Sequence, residues 1–177
     1  GKSTLTVLAA AVALVACGKK EEAAAPAAAP VASAAAPAAA GPSVVRIGHV
    51  GPISGAIAHL GKDNENGARL AIEELNTEGV VIDGKKVTLE LMAEDDAADP
   101  KQGTAVAQKL VDAKVSGVVG HLKSGTTIPA SKIYSDAGIP QLSPSATNPK
   151  YTRQGFKTAF RMVADDTQLG GTLGKYA

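Results

Sequence analysis

Beyond Pro42 the sequence predicts an α/β domain, a parallel sheet flanked by helices on both faces. Three observations predict it. Short β-branched runs alternate with longer stretches of helical periodicity, and the loops between them are short and rich in Gly, Pro, Ser and Asp. The repeated strand–helix–strand order then leaves a parallel sheet, covered on both sides, as the arrangement that buries both element types. About 130 residues bury roughly two-thirds of their unfolded surface, enough for one domain.

The elements follow in order. Val44-Val45-Arg46-Ile47-Gly48-His49-Val50 reads as a strand that ends in a Gly/Pro/Ser loop. Ala68, Leu70, Ala71, Ile72 and Leu75 then recur at helical spacing, with the helix ending near Gly79. Asp83-Gly84 predicts a turn, and Val87, Leu89 and Leu91 alternate as a strand. Asp99-Pro100 predicts a helix start, a carboxylate cap followed by Pro at the first helical position. That helix carries Val106, Ala107, Leu110 and Val111 on one side. A strand over Val115 to Val119, a helix over Thr127 to Ala137 and a strand over Ile139 to Leu142 come next. A further strand, Thr158 to Val163, precedes a helical C-terminus.

The first forty residues are of another kind. Lys2 to Cys17 combines a basic start, a short apolar run and small residues before the cysteine, the pattern of an export signal. The run from Leu5 to Ala16 is shorter than the roughly 20 residues of a stable membrane span, and the low-complexity stretch after it offers a core helix nothing to pack on. From Glu21 to Pro42 the chain is almost entirely Ala and Pro. Pro26, Pro30, Pro37 and Pro42 stop helix propagation, so a disordered, semi-extended spacer is expected.

Composition excludes several function classes. A formal net charge of +1 gives no basic face for a nucleic acid. Aromatic residues at 3% and the absence of Trp leave no stacking platform for bases. Gly48, Gly51 and Gly55 follow a strand, but the Gly-x-Gly-x-x-Gly spacing of a dinucleotide fold is missing and Pro52 interrupts the turn. Asp95, Asp96 and Asp99 lack the Gly turn and distant Glu of a calcium loop, so Asp95 and Asp96 are expected to fix the loop; His49, His59 and His121 have no ligand spacing, and His121 is expected to pack beside the binding loop. No Gly-x-Ser-x-Gly or Cys–His pair suggests a hydrolase. Neither catalysis nor a cofactor or metal is expected.

Ligands of open parallel sheets bind beyond the carboxyl ends of the strands. Three loops are expected there: His49 to Gly61, Gly120 to Thr127, and Ser143 to Asn148. The second offers backbone donors, hydroxyls and a helix start suited to a carboxylate, although Ser124 and Thr127 are also good helix caps. The third is rich in hydroxyls and held open by two prolines, with carbonyls and the Thr147 hydroxyl available to an ammonium group. A donor loop beside an acceptor loop suits a zwitterion.

These segments carry a family resemblance. Ser54-Gly55 through Gly67-Ala68, Asp95 through Gln102, Gly120-His121-Leu122 with Ser124, Pro129-Ala130-Ser131, Ser143 through Thr147 and Lys175-Tyr176 together resemble the leucine/isoleucine/valine-binding branch of the periplasmic binding proteins with the type I fold. Leu14-Val15-Ala16-Cys17-Gly18 resembles the lipobox of bacterial lipoproteins, in which the cysteine is acylated, and Cys17 is the only cysteine.

The resemblance implies the first lobe of a substrate-binding component of an ABC transporter. Such a protein takes branched-chain or other small amino acids in the periplasm, is tethered to a membrane through a lipid on Cys17, and delivers its ligand to a permease. The expected layout is a signal peptide over 1–17, a linker over 18–42, the lobe over 43–163 and the start of a hinge or second lobe over 164–177, where the sequence is expected to be cut short. A ligand-sensing domain of a receptor is the alternative.

By resemblance Ser124 binds the α-carboxylate, and Ser145 and Thr147 help hold carboxylate and ammonium. Leu60 borders the side-chain pocket, and Leu122, Lys123 and Ala146 complete the set. Some relatives carry a cysteine pair where this chain has Ala98 and Lys123, and Leu60 replaces a common aromatic.

Overall fold

The computed structural model describes residues 43–177; the expected signal peptide, the linker and Cys17 lie outside them. The sheet has six strands in the order β2-β3-β1-β4-β5-β6. Strand β1 (Ser43–Gly51) is central and pairs in parallel with β3 (Lys85–Asp95) on one side and β4 (Gly117–Gly120) on the other. Strands β5 (Gln141–Ser143) and β6 (Ala159–Arg161) extend the sheet, also in parallel.

One edge departs from the all-parallel expectation. The two-residue strand β2 (Val81–Ile82) pairs antiparallel with the start of β3. Asp83 and Gly84, the predicted turn, join them with φ of 51° and 74°. Positive φ at both central residues matches the right-handed strand twist, and Asp-Gly suits it.

Among the described residues there are five helices, α1 (Ala58–Glu78), α2 (Pro100–Asp112), α3 (Ser124–Asp136), α4 (Lys150–Arg153) and α5 (Asp166–Tyr176), the last with no buried residue. Neighbouring residues of a strand point to opposite faces, and two glycines of β1 show what lies on each. A Cβ on Gly48 would meet Leu110 of α2 at 2.8 Å, whereas one on Gly51 would meet Gly61 of α1 at 3.5 Å. The α2 and α3 side holds the core: Val50, Val106, Ala107, Leu110, Val115, Val118, Ala130, Tyr134 and Ile139 are buried together. Each large side chain removed from water there contributes about 1.5–3 kcal/mol.

The α1 side is thinner. Of the predicted stripe, Ala68 and Ile72 are half-buried, while Leu70 and Leu75 remain 56% and 42% exposed. The only buried residue of α1 is Gly61, whose hydrogen faces the Pro52 backbone; a Cβ would lie 2.2 Å from the Pro52 carbonyl oxygen.

Most boundaries fall near the predicted ones. Asp99 caps α2, accepting from the Gln102 N–H at 2.8 Å, with Pro100 at the first helical position. Several predicted boundaries are corrected: α1 begins at Ala58, inside the loop expected to run to Gly61, and β5 begins at Gln141 and not at Ile139. Helix α3 begins at Ser124, three residues earlier than predicted, because the Thr127 hydroxyl donates to the carbonyls of Lys123 and His121 instead of capping. Strand β4 begins at Gly117; Val115 is buried in the core ahead of it. Between β5 and β6 the chain forms the single turn α4, anchored by buried Tyr151, whose hydroxyl donates to the Gln141 carbonyl at 2.9 Å.

Candidate functional site

The carboxyl ends of β1, β3, β4 and β5 lie along one sheet edge, since these strands are mutually parallel. From β1 the chain first runs outward through α1 to β3, then crosses back through α2 to β4. The gap between the ends of β1 and β4 is therefore the point where the winding reverses, the usual crevice of an open α/β sheet. The loop after β1, the start of α3 and the loop after β5 all border it.

The two predicted head-group loops meet. The Asn148 backbone N–H donates to the Ser124 hydroxyl oxygen at 3.2 Å, joining the first turn of α3 to the residue after Thr147. Ser124 thus is not a cap; its hydroxyl is a bridge. Because the oxygen accepts from Asn148, the Ser124 proton remains available for a further acceptor. The N–H groups of Ser124 and Gly125 sit in the first helical turn, ahead of any intrahelical carbonyl, at the positive end of the α3 dipole.

A second contact closes the ring. Asn64, on α1, donates from Nδ2 to the Ser145 hydroxyl at 3.0 Å, across 81 residues of sequence. Leu60 lies one turn earlier on the same stripe of α1, 43% exposed. Leu60, Ser124, Ser145 and Thr147 are thereby brought to one rim. Leu122 is half-buried beneath it, and Lys123 is exposed at the N-cap of α3.

Ala146 is 1% exposed, and its N–H donates to the Ser143 hydroxyl at 3.0 Å, so what it offers beyond packing is its carbonyl. Not every carbonyl of the loop is open as the sequence suggested. That of Thr147 accepts from the Asp166 N–H at 2.9 Å, and that of Asn148 from the Tyr151 N–H at 3.1 Å.

A buried network beneath the rim fixes both loops to one point. The His121 carbonyl accepts from the Ser143 hydroxyl at 2.8 Å and from the Thr127 hydroxyl at 3.1 Å. The His121 ring, fully buried, lies 2.9 Å through Nδ1 from the Asp96 carboxylate and 3.2 Å through Nε2 from the Tyr134 hydroxyl.

Burial disfavours the imidazolium and holds the His121 pKa below its usual value, against the pull of Asp96. Burial alone would raise the Asp96 carboxyl; hydrogen bonds from His121 and the Ala98 N–H bring it below the usual range. A neutral His121 therefore donates from Nδ1 to an ionised Asp96 and accepts at Nε2 from Tyr134, whose own ionisation burial pushes far upward. Asp95 fixes the neighbouring loop, accepting from the Ile53 and Ala97 N–H groups at 3.0 and 2.8 Å.

The sequence pointed to these aspartates as loop-fixing and to His121 as packing beside the loop. Asn64, Ser143 and Asn148 as partners escaped it, since their contacts span 81, 22 and 24 residues. Among the described residues no group of three or more His, Cys, Asp or Glu side chains could hold a metal ion.

Comparison with known proteins gives one family. Residues 44–177 match the family model described as periplasmic binding protein. The leucine-specific-binding protein of Salmonella typhimurium is 43% identical over 132 residues, 75% of this chain and 35% of that protein. An amino acid binding protein of Pseudomonas aeruginosa is 45% identical over 133 residues, again 75% and 35%. The structure of an ABC transporter substrate-binding protein from Desulfitobacterium hafniense in complex with Leu superposes with a TM-score of 0.66 at 35% identity, covering 76% of this chain and 38% of that one. The chain thus spans about a third of the length of the curated relatives it matches.

Proposed function

Since the chain belongs to the periplasmic binding protein family, we propose that residues 43–163 are the first ligand-binding lobe of an ABC-transporter substrate-binding component. Residues 164–177 begin the hinge and second lobe. The ligand is a branched-chain or other small amino acid, captured in the periplasm and delivered to a membrane permease, and the lipid-modified Cys17 tethers the protein. The relatives' amino-acid ligands and transporter setting support this reading.

The observation that carries it is the bond between Asn148 and Ser124. It sets the helix start, which offers protons, beside the 143–148 loop, which offers oxygens. The α-carboxylate is received by the first-turn N–H groups of α3 and the Ser124 hydroxyl, and the helix dipole adds to their attraction. The α-ammonium is met by the Ser145 and Ala146 carbonyls and the Thr147 hydroxyl.

Leu60 borders the ligand side chain, and Leu122 and Lys123 shape the floor and the mouth. A second lobe closes over the ligand by a hinge, and the closed form docks on the permease. No covalent bond is made or broken. Calorimetric titration of the intact protein with the proteinogenic amino acids tests the reading: one-to-one binding of at least one small amino acid is expected, and binding of none overturns it.

A further inference from the structure

On the reading of the 143–148 loop as the head-group receptor, we propose that Asn64 is a positioning residue that sets the direction of the Ser145 hydroxyl. By donating from Nδ2 to Ser145 Oγ, Asn64 occupies an acceptor position on that oxygen and leaves the Ser145 proton pointing to the ligand carboxylate.

The structure supports it in three ways. First, the Asn64–Ser145 bond at 3.0 Å is a side-chain to side-chain contact between α1 and the loop after β5, half-buried at both ends. Second, a serine hydroxyl has one proton and two lone pairs, so an oxygen that accepts from Asn64 Nδ2 keeps its proton for another partner. Third, Ser124 is treated alike: its oxygen accepts the Asn148 N–H at 3.2 Å. Two hydroxyls on facing loops, each receiving an N–H from an asparagine, both keep their proton, which suits a bound anion.

Asn64 also connects to the helix that carries Leu60, one turn away on the same stripe. That end of α1 has little else to hold it, since Gly61 against Pro52 is its only buried residue. Asn64 therefore acts through Ser145 and through the placement of α1, on the head group common to all amino acids.

The test reverses the bond. In the full-length protein, Asn64→Asp presents only acceptors, so the Ser145 proton turns toward residue 64 and is lost to the ligand. Calorimetry with L-leucine and with L-alanine is expected to show a loss of about tenfold or more for both, the factor of one charge-assisted hydrogen bond. Asn64→Ala, which leaves the hydroxyl unguided, is expected to lose less, about threefold.

In a Ser145→Ala background neither change should cost more than about twofold, because no proton is left to direct. An Asn64→Asp loss of equal size in that background would mean that the new charge, not the proton, acts on the ligand, and would overturn the inference. So would affinities unchanged in both Asn64 variants with only Tm lowered, the signature of a purely structural role. Failure of the unaltered protein to bind any amino acid would overturn the capture reading itself, and this inference with it.

Discussion

Asn148 and Ser124 are joined by a hydrogen bond of 3.2 Å from the backbone of one to the hydroxyl of the other. Twenty-four residues and the whole of α3 and β5 separate them in sequence. The bond fixes the relative height of two loops, and it leaves the Ser124 proton and the first N–H groups of α3 as an unshared set of donors.

Ser124→Ala removes one donor of that set and the acceptor for Asn148. Affinity is expected to fall by about 1.5–3 kcal/mol, roughly 10- to 150-fold. The loss should be alike for every α-amino acid, since the carboxylate is common to all. Calorimetry on the full-length protein with several amino acids measures it; a loss confined to one side-chain type contradicts the assigned role.

Gly61→Ala forces a Cβ to within 2.2 Å of the Pro52 carbonyl oxygen, backbone that cannot rotate away. The N-terminal end of α1 must lift, taking Leu60 and Asn64 with it. A destabilisation of about 1–3 kcal/mol is expected, seen as a lower Tm, together with weaker ligand binding. Gly67→Ala serves as the comparison, because a Cβ at Gly67 meets nothing within 4 Å.

Asp96→Ala leaves the buried Nδ1–H of His121 without its acceptor, at a cost of about 1–3 kcal/mol in denaturant unfolding. Because the His121 carbonyl holds the Ser143 and Thr127 hydroxyls, ligand affinity should fall as well. Loss of stability with affinity unchanged would separate the buried network from the rim above it.

Both buried histidines make stability depend on pH. Burial holds His121 below its usual pKa, and burial does the same to His49, whose ring nitrogens have no hydrogen-bond partner among the described residues. The unfolded chain takes up protons at these rings below about pH 6.5 while the folded state resists, so stability falls as pH falls through that value. Each ring contributes a slope of up to about 1.4 kcal/mol per pH unit. Urea unfolding between pH 8 and 5.5 is expected to show the decline, and a His49→Gln variant a shallower one.

Much of the fold was legible in the sequence because its signals are local. The Asp99-Pro100 cap, the Asp83-Gly84 turn and the β-branched runs act within a few residues of where they stand. The four-residue α4 and the two-residue β2 are too short to show a period. Helix α3 starts ahead of Thr127, although a threonine at a helix start reads as a cap, because Thr127 turns its hydroxyl back to the carbonyls before it.

The site divides in the same way. Ser124 and Thr147 stand out by residue type and loop position, and Ser145 through the family resemblance. Asn64 does not, because its partner lies on an element folded against it from far along the chain. The apolar stripe of α1 is helical as its spacing predicts, yet Leu70 and Leu75 are exposed, since periodicity records which residues share a face and not how deeply it is buried.

Titration of the intact protein with the proteinogenic amino acids, repeated on its tightest ligand as the methyl ester, measures the proposed recognition directly. Esterification removes the negative charge that, in the proposed function, the α3 start and the two serine hydroxyls receive. The account predicts one-to-one binding of a small amino acid that drops by at least tenfold on esterification. An ester bound as tightly as the free acid contradicts it.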